Sequence, residues 1–292
     1  MKVAVVIPAY NSAHFLKESI DSVLSQTRQV AEIIVVDDGS QDNTPELVKS
    51  YPADRVRYFW RPNGGLPAAR NTGVQQTTSP WVAFLDADDR WEPNKIELQL
   101  KALEAHPEAV LCYTGMLVGS PGGVQTVTRA APADQMWPRL RYENPITPST
   151  VIIRRDVLEE VGGFDEKMIA CEDWDLWVRL GPGCKMVGVD EPLTWYRVTP
   201  NSMSMNTERM LSAVSRMLST SLLKGLSGWS RWSWGRRAWS AELSRCAITA
   251  RNARSPQALS LLLRSLKTWP SPFFLPRRWK SLLVYLLRSP AA

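Results

Sequence analysis

The chain has 292 residues, 44% of them apolar, and a mean hydropathy of -0.21, the balance of a soluble globular protein with a real core. No stretch of about 18 uninterrupted apolar residues occurs, so a transmembrane helix is not expected. The net charge of +6 conceals a split: residues 201–292 carry 15 Lys and Arg against 2 Asp and Glu, whereas residues 1–200 carry 20 against 27.

Residues 3–7 are apolar and rich in valine, and read as a first strand. A signal peptide is not expected, because Pro8 and Asn11 cut the apolar run too short. Pro8-Ala9-Tyr10-Asn11-Ser12 ends the strand, and Asn11 or Ser12 is placed to cap a helix bearing Phe15, Ile20, Val23 and Leu24. Ile33–Val36 form a second strand that exits through Asp37-Asp38-Gly39-Ser40. Asp42-Asn43-Thr44-Pro45 opens another helix. A third strand (56–60), a loop at Pro62-Asn63-Gly64-Gly65 and a small-residue helix (66–74) lead to a fourth strand, Trp81–Leu85, which runs into Asp86-Ala87-Asp88-Asp89. Alternating strands and helices of this length predict βαβ units and a parallel sheet. A helix over 94–105, strands at 110–118 and 151–153 and a helix at 156–161 follow, with 119–145 read as a Gly- and Pro-rich excursion. Near residue 205 the composition turns to Ser, Leu, Arg and Trp at helical spacing, which places a boundary between residues 1–204 and 205–292.

Two aspartate clusters thus stand at the carboxyl ends of buried strands, where open α/β sheets bind their ligands. Carboxylates converging on one crevice repel one another unless a cation lies between them, and a divalent metal with phosphate as its other partner answers that need. The four cysteines (Cys112, Cys171, Cys184, Cys246) lack CxxC spacing and read as reduced thiols in a cytoplasmic protein.

Six ordered motifs carry a resemblance: Pro8-Ala9-Tyr10-Asn11, Asp37-Asp38-Gly39-Ser40, Ala69-Arg70-Asn71-Thr72-Gly73, Asp86-Ala87-Asp88-Asp89, Gly162-Gly163-Phe164-Asp165 and Glu172-Asp173-Trp174-Asp175-Leu176-Trp177. Together they resemble the family 2 glycosyltransferases with a GT-A fold, over residues 1–205. The resemblance implies an α/β fold with a Rossmann-type, mixed but mostly parallel sheet flanked by helices, followed by a helical C-terminal appendage. It implies nucleotide binding by Pro8, Tyr10, Asn11, Asp38, Arg70 and Asp86, with Asp38 taking the base. It also implies metal binding by Asp88 (Mn²⁺ or Mg²⁺) and an inverting general base at Asp173, with Glu172 and Trp174 supporting the acceptor. An extended segment would set Asp86 and Asp88 on one side, with Asp89 either helping them or capping the next helix. Asp175 and Arg179, four apart, read as a helical ion pair.

Two departures qualify the resemblance. Thr199 stands where similar proteins often carry a histidine that joins the metal site, and no Gln-x-x-Arg-Trp motif of processive synthases follows Asp173. Transfer of one sugar per encounter is therefore expected, from a nucleotide-sugar donor to a glycan or lipid-linked acceptor. A sugar-nucleotide-forming nucleotidyltransferase would need a Gly-rich basic loop near the first strand. A non-catalytic nucleotide-sugar or glycan-binding module would not need both Asp88 and Asp173.

For residues 205–292, Trp229, Trp232, Trp234, Trp239, Trp269 and Trp279 among arginines, with leucine-dense stretches at 259–266 and 282–287, leave two readings open. One is peripheral contact with the inner face of the plasma membrane; the other is a helical cap with buried leucines and solvated arginines. Nucleic acid is not expected as a partner, because the amino-terminal motifs already supply a chemistry.

Overall fold

The strand Val3–Ala9 (β1) is buried along its whole length, because both faces of the sheet around it are covered. On one face Val3, Val5 and Ile7 meet Leu16, Ile20 and Val23 of α1 (Ala13–Leu24). On the other, Ile34 and Val36 of β2 (Glu32–Asp37) pack with Ala69 of the helix Leu66–Gln75. The computed structural model describes residues 1–120, 123–199, 202–252 and 255–270.

In chain order the next elements are α2 (Thr44–Lys49), β3 (Val56–Trp60), α3 (the helix Leu66–Gln75), β4 (Trp81–Phe84), β5 (Arg90–Trp91) and α4 (Lys95–Ala105). They are followed by β6 (Leu111–Ser120), β7 (Gly123–Thr128), α5 (Ala133–Leu140), β8 (Ile152–Arg154), α6 (Arg155–Glu160), α7 (Glu172–Leu180) and β9 (Met186–Arg197). The sheet runs β3-β2-β1-β4-β8-β6-β9-β5, with β7 paired to β6. Strands β1 to β4 are mutually parallel, as are β6 and β9, while β8 is antiparallel to β4 and β6. The mixed, mostly parallel α/β sheet is the class expected from the sequence.

Pro8 lies inside β1, not beyond its end. The Asp38 amide donates to the Ala9 carbonyl on the β2 side, and the Leu85 amide donates to the Val6 carbonyl on the β4 side. Alternation therefore turns the Pro8 nitrogen toward β4, whose last paired residue, Phe84, lies opposite Val6. The missing N–H of Pro8 thus falls past the last β1–β4 pair, at a strand end where proline is tolerated.

Several local expectations are corrected. Ser12 precedes α1, but no side-chain cap bond comes from it; Asp42 Oδ2 instead accepts from the Ala13 amide, and the Ser12 amide donates to Thr44 Oγ1. The cap is thus supplied by the neighbouring β2–α2 turn. The stretch 119–145 is not a plain excursion, since it holds β7 and α5. The Asp86–Asp89 segment is a tight turn closed by the Asp89 amide on the Asp86 carbonyl at 3.0 Å, so strand alternation does not govern Asp86 and Asp88. Asp89 does not cap α4, whose preceding residue is Asn94; it is buried.

The chain divides into two compact units: Met1–Trp137, Pro145–Met168 and Glu172–Thr199 form the first, and Pro138–Asn144, Ile169–Cys171 and Pro200–Ala292 the second. The second contains α8 (Thr207–Ser219), α9 (Gly228–Asn252) and α10 (Gln257–Thr268). Ala258, Leu261 and Leu262 of α10 pack on Leu243, Cys246, Ala247 and Ala250 of α9. Ser240 and Ser265 each donate their hydroxyl to the other's carbonyl, at 2.8 and 2.6 Å. The leucines of 259–266 are therefore largely spent on helix packing, leaving Leu263 exposed. Trp279 and the stretch 282–287 lie outside the described residues. Among those described, no helix is long and apolar enough to cross a membrane, and the four cysteines are free.

Candidate active site

The first unit gathers its motif residues at the carboxyl ends of the parallel strands. At the β1 end, Tyr10 is exposed and Asn11 takes a positive φ of 49°, a conformation asparagine tolerates better than most residues. The Asn11 amide donates to Ser40 Oγ and its side-chain oxygen accepts from the Gln41 amide, which ties the β1 and β2 turns together. Asp37 is fully buried and accepts from the Tyr58 hydroxyl and the Ser40 amide.

Asp38, 3% exposed, accepts from the amides of Gly64 (3.0 and 3.2 Å) and Gly65 (2.7 Å), and lies 3.2 Å from Arg61 Nη1. Its carboxylate thereby shapes the 61–65 loop beside the β2 end. Gly39, at φ +82°, would bring a Cβ within 3.0 Å of the Asn63 nitrogen, so a side chain there would push this loop away.

Arg70 is the hub. It is 1% exposed on α3, with Nη2 on Asp86 Oδ1 and Nη1 on Glu172 Oε1, both at 2.6 Å. The guanidinium also sits over the Phe164 ring at 5.3 Å. Burial alone would lower its pKa; the charges of Asp86, Glu172 and, more weakly, Asp173 outweigh that and hold it above its ordinary value. The fork that sequence reasoning offers to a nucleotide is engaged by two carboxylates. It clasps the β4 turn to the first turn of α7.

Next to it, Asn71 joins two motifs that stand far apart in sequence. Its amide group donates to the Phe164 carbonyl and accepts from the Phe164 amide, both at 2.9 Å. Gly163, at φ +65°, leaves room for it, since a Cβ there would meet Asn71 Oδ1 at 2.7 Å. Arg179 extends the same frame: besides its ion pair with Asp175 it donates to the carbonyls of Val161 and Gly163. The expected i,i+4 pair is present, and it also anchors the turn after α6.

The β4 turn is held from a second side. Asp89 accepts from Ser149 Oγ (2.7 Å) and from the Arg197 amide (2.9 Å). The Arg197 guanidinium donates to the Asp88 carbonyl (2.8 Å) and to Glu18 (2.5 Å) and covers the Phe15 ring. Sequence reasoning missed Arg197, Glu18 and Ser149. The only signal was Arg197 in the Trp195–Thr199 segment, read there for its missing histidine.

Burial and the nearby negative charge of Asp86 push the Asp88 carboxyl up to about 6, and burial with both aspartates raises Asp89 well above the usual range. Such repulsion is what a divalent cation relieves, and Asp86 and Asp88 supply hard oxygen donors. Among the described residues no group of three or more His, Cys, Asp and Glu forms a cage. One or two carboxylates nonetheless suit Mg²⁺ or Mn²⁺ when substrate phosphates complete the shell, so the donor set fits. Glu172 is buried at the start of α7, whereas Asp173 is half-buried and accepts from the Trp174 amide. Trp174 and Trp177 share a face and are both buried, at 2% and 0% exposure, with Trp177 Nε1 donating to the Ile146 carbonyl. Pro8 is buried in β1.

The model of the family described as "Glycosyl transferase family 2" matches residues 4–162. The chain belongs to that family. A second model, "Glycosyltransferase like family 2", matches residues 135–224. A glycosyltransferase of Rickettsia felis is 33% identical over 201 residues, covering 68% of this chain and 33% of that protein, so this family 2 chain spans about a third of that relative's length. The putative teichuronic acid biosynthesis glycosyltransferase TuaG of Bacillus subtilis is 30% identical over 210 residues, 70% of this chain and 82% of TuaG. Among solved structures, S. aureus TarS 1–349 in complex with UDP-GlcNAc matches with a TM-score of 0.66 at 18% identity, covering 92% of this chain and 81% of that one. The mannosyltransferase PcManGT of Pyrobaculum calidifontis, in complex with GDP-Man and Mn²⁺, matches with a TM-score of 0.62 at 19% identity, covering 98% and 85%. These likenesses establish the GT-A fold.

Proposed function

We propose that this glycosyltransferase moves a sugar from a UDP-linked donor to a glycan or lipid-linked saccharide, with inversion and one sugar per encounter. The observation that carries the reading is the buried Arg70 bridge, which fixes the Asp86–Asp89 turn and the Glu172–Asp173 helix start in one frame. The donor then lies along the β1, β2 and β4 ends, among Tyr10, Asn11, Asp38 and Asp86, and Asp173 faces the acceptor. Asp173 takes the proton of the acceptor hydroxyl as its oxygen attacks the anomeric carbon. The bond to the nucleotide diphosphate breaks and its electron pair leaves with the phosphate. Asp88, with Asp86, would hold a Mg²⁺ or Mn²⁺ ion, which when bound neutralises charge on the diphosphate. Glu172 keeps Arg70 and α7 in place without touching the acceptor. TarS, of like fold, was crystallised with UDP-GlcNAc and PcManGT with GDP-Man, so the donor screen decides between the two nucleotides.

A calorimetric screen of UDP-, GDP- and dTDP-sugars with and without Mn²⁺ tests the donor. Metal-dependent binding of the UDP class alone is expected, and preference for GDP-sugars would overturn the assignment. Asp173→Asn is expected to bind the donor within about threefold of the parent while turnover falls by about 10²–10⁴. Turnover close to the parent's would remove Asp173 from the base role.

A further inference from the structure

The second unit presents an aromatic and basic patch that the transfer reaction does not use. Trp229 is 71% exposed and Trp232 52% exposed, on the first two turns of α9. They lie three residues apart with ring centroids 6.4 Å from each other, and Trp232 meets Trp269, at the end of α10, at 6.0 Å. Two guanidiniums brace this group: Arg236 covers Trp232 at 5.1 Å, and Arg237 covers Trp269 at 4.9 Å. Arg236 also donates to the carbonyls of Thr268 and Lys267, which locks the α9 start to the α10 end. The exposed indoles are therefore held on a rigid two-helix frame.

Two tryptophans left more than half exposed keep a large apolar surface in water. What surrounds them selects the partner. Residues 201–292 hold only two acidic side chains, Glu208 and Glu242, and Glu242 is buried against Arg245. The charged groups that stand against the patch indoles, Arg236 and Arg237, are cations. Indoles seated at headgroup depth among Arg and Lys are the composition of an interfacial membrane contact.

We propose that Trp229 and Trp232, with the cations around them, dock this protein on an anionic lipid bilayer. The charge complementarity commits the surface to anionic lipid, since a neutral bilayer would leave the excess cations without counter-charge. Docking needs neither metal nor nucleotide, so it stands or falls apart from the donor reading.

The test is co-sedimentation of the full chain with phosphatidylcholine vesicles, with and without about 30% phosphatidylglycerol. Binding is expected only with the anionic lipid, and is expected to weaken as salt rises, because screening shortens the reach of the charges. Trp229→Ser/Trp232→Ser is expected to lose about tenfold or more in vesicle affinity while donor binding and the far-ultraviolet spectrum stay as in the parent. Should that variant fail to fold, Trp229→Phe/Trp232→Phe with brominated lipid serves instead. The parent's tryptophan emission is then quenched, and the variant's is quenched much less. No binding to anionic vesicles, equal binding to neutral ones, full affinity in the folded Ser variant, or full quenching in the Phe variant would each overturn the proposal. Capture by a soluble polyanion or oligosaccharide in place of vesicles would overturn it too.

Discussion

Replacing Arg70 with methionine tests the frame of the site. The substitution keeps length and apolar bulk in a position 1% exposed, but it strips the partner from Glu172, which is 4% exposed, and from Asp86. Breaking a buried pair from one side costs about 3–5 kcal/mol, because the remaining charge has lost its compensation. A second route gives a similar figure. The orphaned glutamate can escape by taking a proton, and protonating an ordinary glutamate at pH 7 costs about 3.7 kcal/mol. The cost should therefore be about 4 kcal/mol at pH 7 and fall by about 1.4 kcal/mol for each unit of acidification toward pH 5. The sign follows from proton uptake: the folded variant binds a proton that its unfolded chain lacks, so lowering the pH favours the fold. Urea unfolding of the first unit, followed at pH 7 and pH 5, measures this as a midpoint loss of about 2 M at pH 7. Adding Glu172→Gln should return about 2–3 kcal/mol at pH 7 by removing the orphaned charge. A loss under 1 kcal/mol, or one independent of pH and unaffected by Glu172→Gln, would refute the reasoning and leave Arg70 as packing.

Gly73→Ala should cost about 1–3 kcal/mol by thermal unfolding, since the added Cβ would meet Val6 Cγ1 at 2.3 Å; Val6→Ala in the same chain should restore part of it. Lys95 is fully buried and reaches Gln99 Oε1 at 2.6 Å; burial lowers its pKa to about 7. Between about pH 7 and its ordinary 10.5, the unfolded chain holds a proton that the folded chain lacks, so stability should rise with pH. Against Lys95→Met the gain should be on the order of 4 kcal/mol, reduced by the cation–π contact of Lys95 with Trp91, and a flat difference would contradict it. Arg197→Met should weaken Mn²⁺-dependent donor binding about tenfold by freeing the Asp88 carbonyl and Glu18, while the Arg197 amide keeps its bond to Asp89; calorimetry with and without Mn²⁺ reads it, and unchanged affinity would dismiss the clamp.

Much of the architecture was open to sequence reasoning because it is written in short-range patterns. The β-branched runs at 3–7 and 33–36 and the turn residues after them define strands ending in polar loops, and helices between them require parallel pairing. The same patterns put Asp37–Ser40 and Asp86–Asp89 at strand ends. The capping of α1 was misread because propensity points to the residue before the helix, whereas the acceptor is Asp42, 29 positions away. The Asp86–Asp89 segment was read as extended because a strand precedes it; the turn bond that closes it has no unambiguous local signature.

What the sequence alone determined is therefore the order of elements and the residue types at the strand ends, since periodicity and turn chemistry act over a few residues. Tertiary structure decided the partnerships. Arg70 finds Glu172 across 102 positions, Asn71 finds Phe164 across 93, and Arg197 finds Asp89 across 108. Arg70 and Arg197 are buried and Asn71 half-buried, and each polar group is satisfied by whatever the fold brings near. Which group that is depends on how the sheet closes, and no local rule contains it.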